Sequence, residues 1–438
     1  MKAIILAAGQ SKRMKSKLRK TLHPLCGKPV VTYIRDACKE AGITDITVVI
    51  SQDDGAVKTV LPDVRFAVQE NPRGTGHAVQ AAFATGGFAD DDDILVLCGD
   101  MPLLSTSFIQ ALTEYYRKSK AACVVTTPSL PENRDFGHVY ADEADNFIEN
   151  VEVRDLKPHH GKTDLRQAGC YLFNGAALAY GLSKMTDDNA QKEYYLTDVP
   201  KHIRESGKNV KVFRCDENPV IFTGINTQAQ LANAAVYMRQ RINAKHMENG
   251  VRMIDPATTY IDEGVEIGAD AVIYPGVVLE GKCVIASDAK ILAHSVLIDA
   301  KVGANSQIGP FAYLRPGTTI GANCRIGNFV EVKNATIGNK TNAAHHAYIG
   351  DADVGSGVNY SCGAITANYD GKNKSRTVIK DNAFIGSNAA LIAPIEVGEW
   401  GYVAAGSTLN KDVPAETLAI ARARQENKEN WKKDPRRQ

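Results

Sequence analysis

Along the first half of the chain, short apolar runs alternate with longer amphipathic stretches. Ala3 to Leu6, Ile46 to Ile50, Ile94 to Cys98 and Cys123 to Thr127 read as strands, and Val30 to Ala41 between them carries a helical period. Strand-helix alternation predicts a mainly parallel sheet covered by helices, a Rossmann-like α/β domain over 1–224. From Ile225 to about Asn249 the chain is rich in Gln, Ala and Arg and free of proline, which predicts one long connecting helix over 225–250.

After Arg252 the period changes to six. Aliphatic residues fall at Ile261, Ile267, Ile273, Leu279, Ile285 and Ile291, then at Val302, Ile308, Leu314, Ile320, Ile326 and Val332, and again at Ile385, Leu391, Val397 and Val403. Six hits in a row is roughly a one-in-ten-thousand event per register, so two such series and a third of four are not chance. Glycine follows the aliphatic at Ile267, Val302, Ile308, Ile320, Ile326 and Ile337, among others, as a permissive residue for the tight corner of a coil. This hexapeptide signature predicts a left-handed parallel β-helix over 251–411, in which no coil can bury its apolar residues alone and stacking makes the core. A basic tail, 412–438, closes the chain; Arg422 to Gln438 holds seven basic and three acidic residues.

Composition narrows the function classes. The chain has 438 residues with 51 Lys and Arg against 50 Asp and Glu, so neither disorder nor a nucleic-acid-coating surface is expected. No apolar run approaches the roughly 20 residues of a membrane span, and Met1 to Gln10 lacks a signal peptide's basic lead and cleavage site. The nine cysteines are scattered without a CxxC pair, which reads as reduced thiols in a cytoplasmic protein.

Leu6-Ala7-Ala8-Gly9-Gln-Ser-Lys-Arg13-Met follows the first strand directly, so its backbone N–H groups face out at the strand's carboxyl end, where a triphosphate can be cradled. Arg13 and Lys20 bring two cations to the same place and could neutralise a leaving pyrophosphate. Gln69 stands five residues before Gly74-Thr75-Gly76, a side-chain amide and a close-approaching backbone that could read a pyrimidine ring. The apolar strand Ile94 to Cys98 ends in Gly99-Asp100, placing a hard carboxylate oxygen, of the kind Mg²⁺ prefers, at the sheet edge where open α/β sheets bind ligands. Asp90 to Asp93 reads as a solvated loop.

In the second half, polar types interrupt the repeat: Arg315, Lys333, His345, Tyr348, Asn359 and Asn368-Tyr369-Asp-Gly. The segment NYDGKNKSRT is longer than a coil corner and must project as a loop. Acyl transfer to an amine needs a base of near-neutral pKa, and histidine suits that requirement. A histidine packed in a coil is the competing reading of His345.

The segments LAAGQSKRM, LRKTLH, QENPRGTGHA, LCGDMPLL, EYYLTD and GIN occur in the order seen in sugar-phosphate nucleotidyltransferases. With the β-helix they resemble the bifunctional N-acetylglucosamine-1-phosphate uridyltransferases / glucosamine-1-phosphate N-acetyltransferases over nearly the whole chain. That resemblance implies acetylation of glucosamine 1-phosphate by acetyl-CoA, then UMP transfer from UTP to give UDP-N-acetylglucosamine and pyrophosphate. It assigns Leu6, Ala7, Ala8 and Gly9 to the nucleotide, Lys20 to phosphates, and Gln69, Gly74 and Thr75 to uracil, with Cys98 and Gly99 beside them. Asp100 and Asn226 would hold Mg²⁺, and Gly137, Glu152 and Gln167 would face the sugar. In the β-helix it assigns His345 as the base, Arg315, Lys333, Tyr348, Asn359, Asn368, Tyr369 and Lys374 to the amino-sugar phosphate, and Cys362, Ser387, Ala405 and Arg422 to acetyl-CoA. It also implies a homotrimer.

The chain departs from the family at Cys98, where an aromatic is usual, at Arg19, where proline is usual, at Gln167 for asparagine, and at Ser11-Lys12 for Gly-Thr. Two rival readings remain at this point: a single-activity nucleotidyltransferase with a structural β-helix, and a binding subunit of the same layout. Intact Arg13, Lys20 and Asp100 speak against the second.

Overall fold

The computed structural model describes residues 1–52, 54–129, 136–215, 218–429, 431 and 436, so Asp135 and most of the last nine residues of the basic tail lie outside the described chain. Two compact units divide it, Met1–Met238 and Arg239–Gln438, and the helix Gln228–Glu248 runs from the first into the second. No helix among the described residues is long and apolar enough to cross a membrane.

In the first unit a seven-stranded sheet has the order Val210–Cys215, Cys123–Pro128, Tyr171–Asn174, Asp93–Cys98, Lys2–Leu6, Ile46–Ser51, Arg65–Gln69. All neighbours are parallel except Tyr171–Asn174, which runs against both its partners. Ile4, Val48, Val96 and Val124 are fully buried, as the near-continuous apolar runs of a sheet covered on both faces require. The register pairs Leu6 with Cys98, so the segments leaving these two strands emerge side by side. Gly99 makes that closeness possible: its N–H donates to the Leu6 carbonyl at 2.8 Å, and a Cβ there would sit 2.8 Å from the same oxygen. Ser105 caps the helix Thr106–Ser119 by accepting from the Phe108 N–H, which leaves Asp100 free of that duty.

The second unit is a left-handed parallel β-helix of short strands, each paired in parallel with the strand one coil further along. Tyr260 pairs with Val278, Val278 with Val296, Val296 with Tyr313, Tyr313 with Glu331 and Glu331 with Tyr348. A separate ladder of eight strands, from Glu266–Ile267 to Ile395–Val397, forms another face. The aliphatics of the six-residue period line the interior, and all three series are buried apart from Ile267 in the first coil, which is half-buried.

The reason for the glycines differs from the sequence expectation. Of those following the aliphatic, only Gly309 has a positive φ. The left-handed corners fall instead on residues such as Asp288, Asn305 and Asn323 (φ 60°, 56° and 57°), whose short polar side chains tolerate that region. The glycines are needed because the next coil lies on top of them. A Cβ at Gly303 would be 2.5 Å from the backbone of Gly321, one at Gly338 2.5 Å from Gly355, and one at Gly386 2.5 Å from Ala405.

Candidate functional site

The strand ends of the first unit border a cavity of about 540 Å³ lined by Leu6, Ala7, Ala8, Gly9, Lys12, Lys20, Gln69, Gly74, Thr75, Cys98, Asp100 and Glu193, among others. This brings together the segments that sequence reading assigned to the nucleotide. A second hollow of about 430 Å³ opens at the other end of the Asp93–Cys98 strand, by Asp93, and holds none of the predicted site residues.

Gln69 is 3% exposed; its Nε2 donates to the Gly74 carbonyl at 3.1 Å and lies 3.0 Å from His77 Nδ1. Among the described residues its Oε1 has no partner, which leaves an acceptor for a ring N–H. Gly74 (φ 109°) is where the loop must be glycine, since a Cβ would meet the Tyr194 carbonyl oxygen at 2.5 Å. Thr75 Oγ1 accepts from the Leu196 N–H at 3.1 Å and so ties the loop to the EYYLTD segment rather than offering its hydroxyl freely.

At the floor, the Lys20 ammonium forms an ion pair with Asp100 and donates to Asn226 Oδ1 at 2.8 Å. Asn226 is placed by its own N–H, which donates to Gln230 Oε1 at 2.9 Å, and by Ile225, whose N–H donates to the Asp100 carbonyl at 2.9 Å. Among the described residues no three His, Cys, Asp or Glu side chains gather as a metal cage. One carboxylate and one amide oxygen sharing a cation nevertheless fit Mg²⁺, which keeps most of its ligands as water and substrate phosphate. The neighbouring Cys98 thiol is pushed up to about 12 by burial and then by the Asp100 charge, so it stays a neutral wall.

Beyond Cys98 the wall continues through Gly169, whose carbonyl is 3.7 Å from Cys98 Sγ, to Gln167. The Gln167 N–H donates to the Gly137 carbonyl at 2.9 Å, and its Nε2 donates to the Tyr171 hydroxyl at 2.8 Å. A Cβ on Gly137 would lie 3.4 Å from Asn150 Oδ1 and 3.5 Å from Glu152 Oε2, so the three predicted sugar-facing residues, Gly137, Glu152 and Gln167, do meet. Burial raises the Glu152 carboxyl above its usual range, opposed by a hydrogen bond from Thr197.

Of the predicted cations, Lys20 is in the cavity and Arg13 is not: Arg13 is exposed and absent from the lining. Lys12, one residue before it, lines the cavity and was missed by sequence reading. So was Asn150, whose side-chain amide is buried with neither end partnered among the described residues.

In the second unit the predicted residues fall on two stretches of the prism. Arg315 Nη1 pairs with Glu331 at 2.9 Å, and its backbone N–H donates to Val332, next to Lys333 on the following coil. Lys333 and Lys374 crowd each other enough that Lys333 lowers the Lys374 pKa. Two ammonium groups so close make a seat for an anion. Burial would raise Asp351, yet hydrogen bonds from Asn334 and Asn368 and the charges of Lys333 and Lys374 hold it below the usual carboxylate range. Asn368 Nδ2 also reaches the Tyr348 hydroxyl at 3.4 Å, and Gly350 leaves room for that ring, which a Cβ would strike. Asn359 donates to Ser361 Oγ at 2.9 Å, and Tyr369 is 61% exposed on the projecting loop.

The other stretch is one corner followed through successive coils. His345 is exposed, with Nδ1 3.4 Å from Asn328 Oδ1 on the preceding coil. The next residue, His346, takes φ 31° and accepts from the Gly363 N–H at 2.7 Å. The carbonyl of Cys362 accepts from the Asn388 N–H at 2.8 Å, that of Ser387 from Gly406 at 2.7 Å, and that of Ala405 from Arg422 Nη1 at 2.9 Å. His345, Cys362, Ser387, Ala405 and Arg422 thus form one ladder, a coil apart from each to the next.

Residues 3–190 match the MobA-like NTP transferase domain. Residues 299–334 match the bacterial transferase hexapeptide of six repeats, and 259–287 and 376–411 the hexapeptide repeat of succinyl-transferase. The chain is 43% identical to the bifunctional protein GlmU of Brevibacillus brevis over 97% of this chain and 96% of that protein. It is 43% identical to the one of Clostridioides difficile (98% and 97% covered) and 44% identical to the one of Alkaliphilus oremlandii (99% and 98%).

Proposed function

The chain belongs to the family of bifunctional GlmU proteins, and from that premise we infer that it acetylates glucosamine 1-phosphate with acetyl-CoA and joins the product to UMP from UTP, releasing pyrophosphate. The observation that carries the nucleotidyl half is the Lys20 ammonium set between Asp100 and Asn226 at the floor of the strand-end cavity.

In this reading the α-phosphate of UTP lies over the Leu6-Ala7-Ala8-Gly9 turn and uracil in the Gln69, Gly74, Thr75 corner. Asp100 and Asn226 hold Mg²⁺, which when bound offsets the phosphates' negative charge. The sugar-phosphate oxygen is already anionic and attacks the α-phosphorus in line without a general base. Lys20 neutralises charge at that phosphorus. A second cation for the leaving pyrophosphate comes from the turn Lys12–Met14, where sequence reading placed Arg13. Gly137, Glu152 and Gln167 hold the sugar, and the longer Gln167, already pledged to Tyr171, is where sugar preference would shift.

In the second half His345 is the base. With Nδ1 toward Asn328 Oδ1, the tautomer with hydrogen on Nδ1 leaves Nε2 to take the amine proton. Lys333, Lys374 and Arg315 grip the sugar phosphate, and the corner ladder to Arg422 follows acetyl-CoA. The exposed stack of His294 on Phe311 (5.2 Å) and Phe311 on Phe329 (5.5 Å) would be covered by a second copy, in keeping with a homotrimer. Nine cysteines, six of them buried and none in a disulfide among the described residues, suit the cytoplasm.

Product analysis with UTP and a panel of sugar 1-phosphates tests the reading, run beside Asp100→Asn. Wild type should form UDP-N-acetylglucosamine, and Asp100→Asn should abolish pyrophosphate release while acetylation continues. Loss of both activities in a folded Asp100→Asn chain would refute two independent sites.

A further inference from the structure

We propose that Asp54 is a positioning residue for nucleotidyl transfer: through its ion pair with Arg19 it holds the turn that presents Lys20. The assignment rests on the nucleotidyl reading above and deepens it. Asp54 does not line the cavity, so it acts only through other residues. It stands just before the helix Gly55–Val60, where an aspartate ordinarily caps by accepting a helix N–H, yet its side chain makes no such bond. Its Oδ1 instead meets Arg19 Nε at 2.8 Å, and its Oδ2 accepts from the hydroxyl of Ser51, the last residue of the strand Ile46–Ser51, at 3.2 Å. Asp54 is 3% exposed, and burial raises its carboxyl against the opposing charge of Arg19. A carboxylate so deeply placed is costly unless it is paired. Its partner lies on the loop that delivers Lys20.

Arg19 in turn fixes Lys20. It stands at φ −66°, ψ 145° immediately before the turn Lys20–Leu22, and its carbonyl accepts from the Leu22 N–H at 2.9 Å, which closes that turn. This is the φ that a proline ring would lock, but arginine has no ring to lock it. Residues 15–18, leading into Arg19, are all exposed, so the Arg19 side chain is the first anchor of the segment. After it, the Lys20 N–H donates to Ser11 Oγ at 2.9 Å and Thr21 is buried. The Lys20 ammonium then reaches Asp100 and Asn226 at the cavity floor. The Asp54 carboxylate therefore does from the neighbouring strand end what a ring would do within the loop.

The consequence falls on the chemical step. Lys20 acts where charge develops at the α-phosphorus, and a displacement of about 1 Å caused by a change remote from the chemistry can cost about 10²-fold in rate. Loss of the Asp54 tie should therefore appear in kcat more than in KM. A pair that merely staples the loop would lower the melting temperature and leave kcat alone.

The test uses the full chain, with steady-state uridylyl transfer from UTP to N-acetylglucosamine 1-phosphate, and with acetyl transfer and melting as checks on folding. Asp54→Ser keeps a residue suited to the helix start but too short to reach Arg19. It should lower kcat about 10- to 100-fold, with both KM values within about threefold and acetyl transfer unchanged. Asp54→Asn, equal in size, guards against misfolding and should show the same split to a smaller degree. Adding Arg19→Pro to Asp54→Ser should recover most of kcat, because the ring supplies the φ that the ion pair held and the Arg19 N–H has no acceptor to lose among the described residues. Wild-type kcat in both Asp54 variants, or a loss that the added proline leaves in place, would overturn the assignment alone. A wild-type chain that turns over no UTP would overturn the underlying reading as well.

Discussion

Gly327→Ala tests both the glycine argument and the placement of His345. Gly327 has no positive φ, so alanine suits its backbone. A Cβ there would collide with the Ala344 carbonyl oxygen on the next coil and lie 2.5 Å from its carbonyl carbon and 2.8 Å from its Cα, where ordinary contact begins at 3.4 Å. The coils must part locally by about 1 Å, a backbone displacement that no side-chain rotation can relieve. Overpacking of this kind costs about 1–3 kcal/mol, and weakening one or two rung hydrogen bonds adds about 1 kcal/mol each, so a loss of about 2–5 kcal/mol is expected. For a unit of this size that is a fall of roughly 4–20 °C in melting temperature. Asn328 and His345 pair across the same two coils, so acetyl transfer should fall even at temperatures where the variant is folded. Gly371→Ala is the contrast: its φ of 97° strains any side chain, but nothing lies within 4 Å of the new Cβ and no coil is moved. Calorimetry of both variants with acetylation assays decides the matter. A Gly327→Ala protein that melts and acetylates like wild type would show that the stacked coils yield, and the argument from inter-coil contact would fail.

His345→Ala should cut acetyl transfer about 10²–10⁴-fold with uridylyl transfer near normal, whereas His346→Asn, which keeps a residue suited to φ 31°, should do much less; separate assays of the two half-reactions check this, and equal losses would point to packing. Asn150→Leu should stabilise the first unit by about 2 kcal/mol, because it removes a buried amide with both ends unpartnered; a lower melting temperature would show that the amide is satisfied in solution. Burial raises the Glu152 carboxyl above its ordinary 4.5, so the native state holds the proton longer than the unfolded chain and stability falls as pH rises from 4.5 through the raised value. Glu152→Gln should abolish that part of the pH dependence, read from melting curves between pH 4.5 and about 7.

What could be read from the sequence was whatever repeats or stands at a strand end. The aliphatic period marks the interior of the prism because every coil obeys the same rule, and Asp100 shows itself because Ile94 to Cys98 is unbroken. The purpose of Gly303 or Gly338 was hidden, since the obstructing atoms belong to a residue one coil away and a local reading sees only a flexible glycine. The antiparallel strand Tyr171–Asn174 was invisible because strand direction depends on the connection before it. One signal could have been found: Asn334, Asp351 and Asn368 are spaced by 17 and 17 residues, about a coil each, and they form the network beside Lys333 and Lys374.

The coil also works as a ruler. Tyr260 meets its partner Val278 eighteen positions on, but Asn359 meets Phe384 twenty-five positions on, and the prism beyond continues unchanged. The seven extra residues leave the cross-section at a corner, in the projecting segment that carries Asn368, Tyr369 and Lys374. Insertions in such a scaffold therefore have two separate currencies of length. Whole coils extend the axis, while corner extrusions of any size add chemistry at a fixed height without disturbing the rungs above or below, so new binding loops can evolve on this body without a search for a new fold.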